Sequence, residues 1–289
     1  MGLFFFCRLN THADSLGAPD YDRPWQLTTY AAAAGLEQQR AFDVAFEQDS
    51  TVWIATDDGL RRFDGYRWKK FGTNDGLPSN FLRAVMVNRQ GKLWVGTDMG
   101  AGIFDAAASK YDPAGSVAGL VNSNVREIDE DAGGRVWFCC DQWPDSKGKP
   151  GGLCCLANGR WQTFGRTNGL PMDYVIGFFG DSTGRQFALT SHGWAQWRDN
   201  TWAPPANPGY EAEECVLQMA EAADGTLFAQ GEKALLILKN GRWEPYPGSQ
   251  SRLICRTQDG DLIAMECDDT LGRLWFSRWD GQQFARVSA

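Results

Sequence analysis

Apolar and polar residues alternate in short runs along this chain, and the runs end at turn-forming pairs. Val52-Trp53-Ile54-Ala55-Thr56-Asp57-Asp58-Gly59 returns as Leu93-Trp94-Val95-Gly96-Thr97-Asp98-Met99-Gly100, and in a more diverged form as Val136-Trp137-Phe138-Cys139-Cys140-Asp141. The recurrence falls about every 40 residues, the length of a four-stranded repeat unit, and such units arrange themselves as a β-propeller. A second phrase is in phase with the first: Asn74-Asp75-Gly76-Leu77-Pro78 is matched by Thr167-Asn168-Gly169-Leu170-Pro171. A third places Asp64-Gly65, Asn158-Gly159, Asn240-Gly241 and Asp280-Gly281 between apolar runs. Such pairs are strong hairpin signals, because a tight primed turn needs positive φ.

In the second unit this predicts strand a from Arg83 to Asn88, strand b from Lys92 to Thr97, strand c from Ala101 to Asp105 and strand d near Lys110-Tyr111. The Trp53 position is then filled in turn by Trp94, Trp137, Phe187, Phe228 and Ile263, which makes six units. The expected fold class is all-β, a β-propeller of six to seven four-stranded antiparallel blades. Residues 1–24 read as a leader or linker and residues 25–289 as the propeller domain. Pro24 to Tyr30 aligns with the outer strand Tyr66 to Phe71, so outer strands outnumber complete inner sets. A spare strand, a seventh blade after Ala289, or an inner strand of a split blade supplied by Gly2 to Cys7 all fit this pattern.

Composition sharpens the picture in three places. The chain has 13 tryptophans, many at repeat positions, and Trp53, Trp94 and Trp137 read as blade-packing residues, with Gly76, Leu77 and Pro78 as the linker between units. The formal net charge of -8 disfavours a nucleic-acid surface, which needs clustered Lys and Arg. No apolar run approaches the roughly 20 residues that span a bilayer. Leu3-Phe4-Phe5-Phe6-Cys7 is short and lacks a basic leader, so membrane association is expected only through the N-terminus or a partner. Of the eight cysteines, Cys139-Cys140 and Cys154-Cys155 fall on neighbouring strands b and c of the third unit, where thiols from the two strands can approach. No Cys-x-x-Cys zinc or haem spacing occurs, and no metal or cofactor is expected.

Loops on a rigid scaffold are where binding residues tend to lie. The d–a linkers and b–c turns emerge on one face, and Asp57, Asp58, Asp98 and Asp141 ring its rim, although Asp is also a common turn former. The third unit's b–c connection, Asp141 to Gly152, is longer than its counterparts and carries Trp143, an aromatic suited to sugar stacking or a protein contact. His192 occupies the b–c turn of the fourth unit. Trp143, Asp98, Asp141 and His192 are the candidate ligand-binding residues, and the expected partner is a glycan, another small ligand or a protein on the loop face. No Ser-His-Asp order, phosphate loop or His-Glu-x-x-His motif is present, so no catalytic residue is assigned and no enzyme is expected.

The phrase Gly91-Lys92-Leu93-Trp94-Val95-Gly96-Thr97-Asp98-Met99-Gly100, with Phe63-Asp64-Gly65 and Asp75-Gly76-Leu77-Pro78-Ser79-Asn80 in phase, resembles the two-component regulator propeller repeat. The likeness is most specific over residues 25–175. It implies an extracytoplasmic or periplasmic sensor module of the kind that precedes a membrane helix in hybrid histidine kinases. In that family the ring has seven blades, is often in tandem, and frequently senses glycans without catalytic residues. This chain departs from the pattern: it shows no membrane helix or kinase and reads one blade short. The leading expectation is a non-enzymatic ligand- or protein-binding propeller. The alternatives are an accessory or scaffold subunit of a larger complex and a lyase-like propeller that uses a divalent cation at His192.

Overall fold

The computed structural model describes residues 35–36, 39–49, 51–113, 119–141, 150–205, 215–247, 251–257, 260–268 and 273–287, together with the strand pair Phe6–Cys7 and Leu27–Thr28. Local turn chemistry sets the hairpins. Asn158 and Gly159 both have positive φ, at 49° and 73°, and so do Asn240 and Gly241, at 50° and 75°. Positive φ at both central residues is the primed geometry that matches strand twist. The pair Asp199 and Asn200 adopts it without a glycine, at 48° and 62°.

Six four-stranded antiparallel sheets result, each meandering in chain order. In the first, strands a to d are Ala41–Phe46, Val52–Thr56, Gly59–Phe63 and Trp68–Phe71. The inner strands of the other five are Leu82–Val87, Val125–Glu130, Val175–Gly180, Val216–Glu221 and Ser251–Arg256. In the second sheet the remaining strands are Leu93–Thr97, Gly100–Asp105 and Lys110–Asp112, within about a residue or two of expectation. The Trp53 register holds throughout: each of its successors to Ile263 pairs with the fifth residue of its inner strand. At the N-terminus, Phe6–Cys7 pairs antiparallel with Leu27–Thr28 as a separate two-stranded sheet.

Blades stack by a repeated rule. Trp53 and Ala55 of blade one pack on Val85 and Val95 of blade two. Trp94 of blade two meets Phe138 of blade three edge-on, with ring centroids 5.5 Å apart. Trp137 stacks on Phe178 of blade four at 4.5 Å. Phe187 packs toward Leu227 of blade five, and Phe228 toward Leu262 of blade six. Each repeat aromatic therefore faces the following blade, and the core is five inter-blade layers rather than one centre. Among the described residues no such cluster joins blade six to blade one. Burial of these rings supplies the apolar term that holds the array together, roughly 25 cal/mol per Å².

The linker phrase is a short 3-10 turn. Asp75 accepts the Gly72 N–H at 2.9 Å, Asn80 accepts the Thr73 N–H at 2.8 Å, and Leu77 plugs the layer at 3% exposure. Gly76 closes the turn at φ 92°, where a Cβ would sit 2.7 Å from the Ser109 carbonyl oxygen. The same bonds recur around Asn168, Gly169 and Asp173.

Candidate functional site

In blades one, two and four the b–c turn is built on a buried threonine. Thr56, Thr97 and Thr190 donate to the carbonyls of Gly59, Gly100 and Gly193 at 2.6, 2.8 and 2.7 Å. In blades one, three and four the chain after strand b is tied to the residue just before the inner strand: Asp57 N–H donates to the Arg40 carbonyl, Asp141 N–H to Asn124 and Ser191 N–H to Tyr174. This end of the array is therefore a rigid frame of backbone bonds.

Every inner strand enters that frame through a β-bulge. The register skips Phe42, Arg83, Arg126, Ile176, Leu217 and Arg252, one residue per blade. A bulge residue is surplus to the ladder and is re-aimed by the local twist. Four of these residues meet the next blade. Phe42 packs on Phe81 with centroids 5.4 Å apart. Arg83 forms an ion pair with Asp141 at 2.7 Å, the acid side chain being only 2% exposed. Arg126 donates to the Tyr174 hydroxyl at 3.0 Å and lies 5.8 Å from that ring's centroid. Ile176 joins Cys215 in one apolar cluster. Leu217 is exposed. The result is a belt of arginine and apolar side chains around one end of the array, held by like backbone.

Carboxylates lie one position further along the inner strands. Asp43 reaches across to accept the Val85 N–H at 2.9 Å, and Glu127 accepts the Phe178 N–H at 3.1 Å. The facing positions are small: Ala84 in blade two and Gly177 in blade four, where a Cβ would be 3.1 Å from the Glu127 carboxylate. Asp129 stands two residues beyond Glu127 and accepts the Glu130 N–H at 2.7 Å. Crowding by the inner strands strips water from all three. Burial pushes Asp43 and Asp129 up to about 7 and Glu127 up to about 8, and the acids' mutual repulsion adds to the rise in Asp129 and Glu127. Arg126 opposes the shift at Glu127.

The candidates from the sequence separate here. Asp141 is buried and committed to Arg83. Asp98 sits exposed in its turn. Exposed His192 has its Nδ1 3.2 Å from the Ser191 hydroxyl. Asp57 accepts the Arg40 N–H, and Asp58 pairs with Lys70 at 2.5 Å and with Arg61, the Lys70 contact holding its carboxyl below the usual range. Trp143 lies outside the described residues. Among the described residues no group of three or more His, Cys, Asp or Glu could hold a metal ion. The bulge belt and the inner-strand acids were not found from the sequence. The one available signal was a carboxylate at a position where blades two and four carry Ala84 and Gly177.

Comparison with known proteins places this geometry. Residues 76–99 match the family model described as two component regulator propeller, as the repeat phrase indicated. No curated protein matches the chain. Among solved structures, the chain is similar to the extracellular domain assigned to a one component system of B. thetaiotaomicron, at TM-score 0.65 and 18% identity, covering 88% of this chain and 34% of that one. It is similar to a second B. thetaiotaomicron domain, assigned to a hybrid two component system, at TM-score 0.62 and 16% identity over 86% and 35% of the two chains. It is also similar to virginiamycin B lyase from Staphylococcus aureus, at TM-score 0.59 and 11% identity over 87% and 88%. The chain thus spans about a third of the length of the two sensor-domain structures. At these identities the likeness establishes the propeller fold. No helix among the described residues is long and apolar enough to cross a membrane.

Proposed function

We propose that this propeller is a non-enzymatic, extracytoplasmic binding module whose ligand or protein partner sits on the bulge belt at the b–c end. The observation that carries this is the contrast at that end. The Thr-Gly turns of blades one, two and four are alike, as are the backbone ties of blades one, three and four, whereas the bulged residues mix Arg83, Arg126 and Arg252 with Phe42, Ile176 and Leu217. A constant frame presenting varied side chains suits recognition, because the frame fixes position and the side chains supply selectivity. Phe42, Phe81 and Tyr174 offer ring faces and Arg126 a fork of donors, a mixture that suits the apolar faces and hydroxyls of a sugar or the side chains of a peptide. Structural similarity to extracellular sensor domains supports the reading, and similarity to a lyase keeps catalysis as the competitor. A lyase reading would centre on His192, whose described surroundings supply a serine hydroxyl.

The test is an oligosaccharide array probed with the full chain, followed by calorimetric titration of any hit. Arg126→Ala combined with Leu217→Ser is expected to abolish binding while leaving the melting temperature within a few degrees. Absence of any glycan or protein ligand for the folded wild type, or retention of binding in the double variant, would overturn the proposal. Turnover of a substrate that stops with His192→Ala would replace it with the enzymatic reading.

A further inference from the structure

The third blade holds a pair of thiols that the binding function does not use. Strand b, Val136–Cys140, and strand c, Gly152–Ala157, pair so that Cys140 lies opposite Gly152 and Cys154 opposite Phe138. Gly152 has no side chain, so the space directly across from Cys140 is left to its diagonal neighbour. The Cys140 and Cys154 sulfurs are 3.9 Å apart, and both residues are fully buried. Their surroundings are apolar, including Val125, Ile128 and Phe138. Cys139 and Cys155 alternate to the opposite face, against Trp137 and Phe178 of the next layer. Two of the four thiols, one from each strand, share this face, and their sulfurs are in contact.

We propose that Cys140 and Cys154 form a disulfide within the third blade when the chain folds in the presence of an oxidising disulfide couple. Disulfide formation brings two sulfurs to about 2.05 Å, with Cβ atoms about 3.8 Å apart. From the 3.9 Å sulfur contact, closure draws the two sulfurs together by about 1.9 Å within one antiparallel pair. Cys154 is the attacking sulfur: the contact with the Cys140 sulfur and the Val121 N–H that it accepts at 3.4 Å favour its thiolate. The Cys154 thiolate attacks one sulfur of the oxidant, whose S–S bond breaks, giving a mixed disulfide and one leaving thiolate. Cys140 then loses its proton and attacks the Cys154 sulfur, expelling the second thiolate. The two protein thiols are oxidised, the oxidant disulfide is reduced to two thiols, and the two protons released end on those leaving groups. Burial makes the exchange a folding-time event, before the layer closes over both sulfurs.

The experiment refolds the wild-type full chain in glutathione buffers of increasing oxidised fraction. Free thiols are quenched, and linkages are mapped by proteolysis and mass spectrometry. A Cys140–Cys154 linkage is expected to dominate at oxidising ratios in chain that shows native strand dichroism, and its reduction is expected to lower the melting temperature by several degrees. Cys139→Ser and Cys155→Ser should leave that linkage in place, whereas Cys154→Ser should remove it. Cys140 and Cys154 remaining alkylatable in refolded native protein at the most oxidising ratio would overturn the proposal, as would a dominant linkage through Cys139 or Cys155. The wild-type map decides the question without requiring any variant to fold.

Discussion

Replacing Glu127 with glutamine isolates the cost of an inner-strand charge. The amide oxygen can still accept the Phe178 N–H that Glu127 holds at 3.1 Å, and Gly177 leaves room for it, so the perturbation is the loss of a titratable proton. Burial raises the acid from 4.5 to about 8. Its folded pKa lies above its unfolded one, so between those values the folded chain binds more protons than the unfolded chain. Stability from this group is fully present below the unfolded pKa, declines as pH rises, and is lost through about pH 8. At neutral pH the ceiling on the penalty is about 3 kcal/mol, and the opening of the half-buried side chain toward solvent brings the expected value to about 1–3 kcal/mol. Asp43 and Asp129, raised to about 7, lose their contribution in the same direction through about that pH. Glu127→Gln should therefore melt roughly 3–8 °C above wild type at pH 8 and close to it at pH 5, as read by circular dichroism. Wild type itself should lose stability across that window. An equal shift at both pH values, or a wild-type melting temperature that climbs from pH 5 to 8, would refute the reasoning.

Further outcomes follow from the packing. Asp141→Ala takes the buried carboxylate away from Arg83 and should cost about 3 kcal/mol by urea denaturation, whereas exposed Asp98→Ala should cost less than about 0.5 kcal/mol. Trp137→Ala empties the layer between blades three and four and should cost about 3–5 kcal/mol in the same assay. Gly76→Ala forces a left-handed conformation and a Cβ against the Ser109 carbonyl; a loss of about 2–4 kcal/mol is expected, while Gly65→Ala, with the same sign of φ but open space, should lose about 1 kcal/mol.

The fold was legible because its determinants are local and repeated. Asn158-Gly159 and Asn240-Gly241 announce their turns by residue type, and Trp53, Trp94 and Trp137 announce their register by recurrence. Even Ile263, which shares no chemistry with tryptophan, was placed correctly, because the hairpin at Gly260 fixes the count. The site was less legible for the opposite reason. Phe42, Arg83, Arg126, Ile176, Leu217 and Arg252 occupy equivalent positions, but three are arginine and three are apolar, so no single phrase recurs to mark them. A bulge also shifts the alternation by one residue, which makes its extra side chain read as part of the strand's ordinary pattern. Asp141 looked like a rim acid because its turn is at the rim. Only the placement of Arg83, 58 residues away in sequence, shows that its side chain turns inward.

One bulge in every inner strand also separates two kinds of inheritance. A ladder residue of the inner strand answers to strand b, so changing it disturbs pairing as well as packing. The surplus residue stands outside that ladder, and its constraints come from whatever it touches in the next blade. Arg83 and Ile176 are therefore tied, through Asp141 and the Cys215 cluster, whereas Leu217 projects into solvent and Phe42 rests on Phe81. On the proposed binding role, randomising Phe42 and Leu217 while holding Arg83 and Ile176 fixed should alter ligand selectivity at nearly constant stability, a new specificity without a new core.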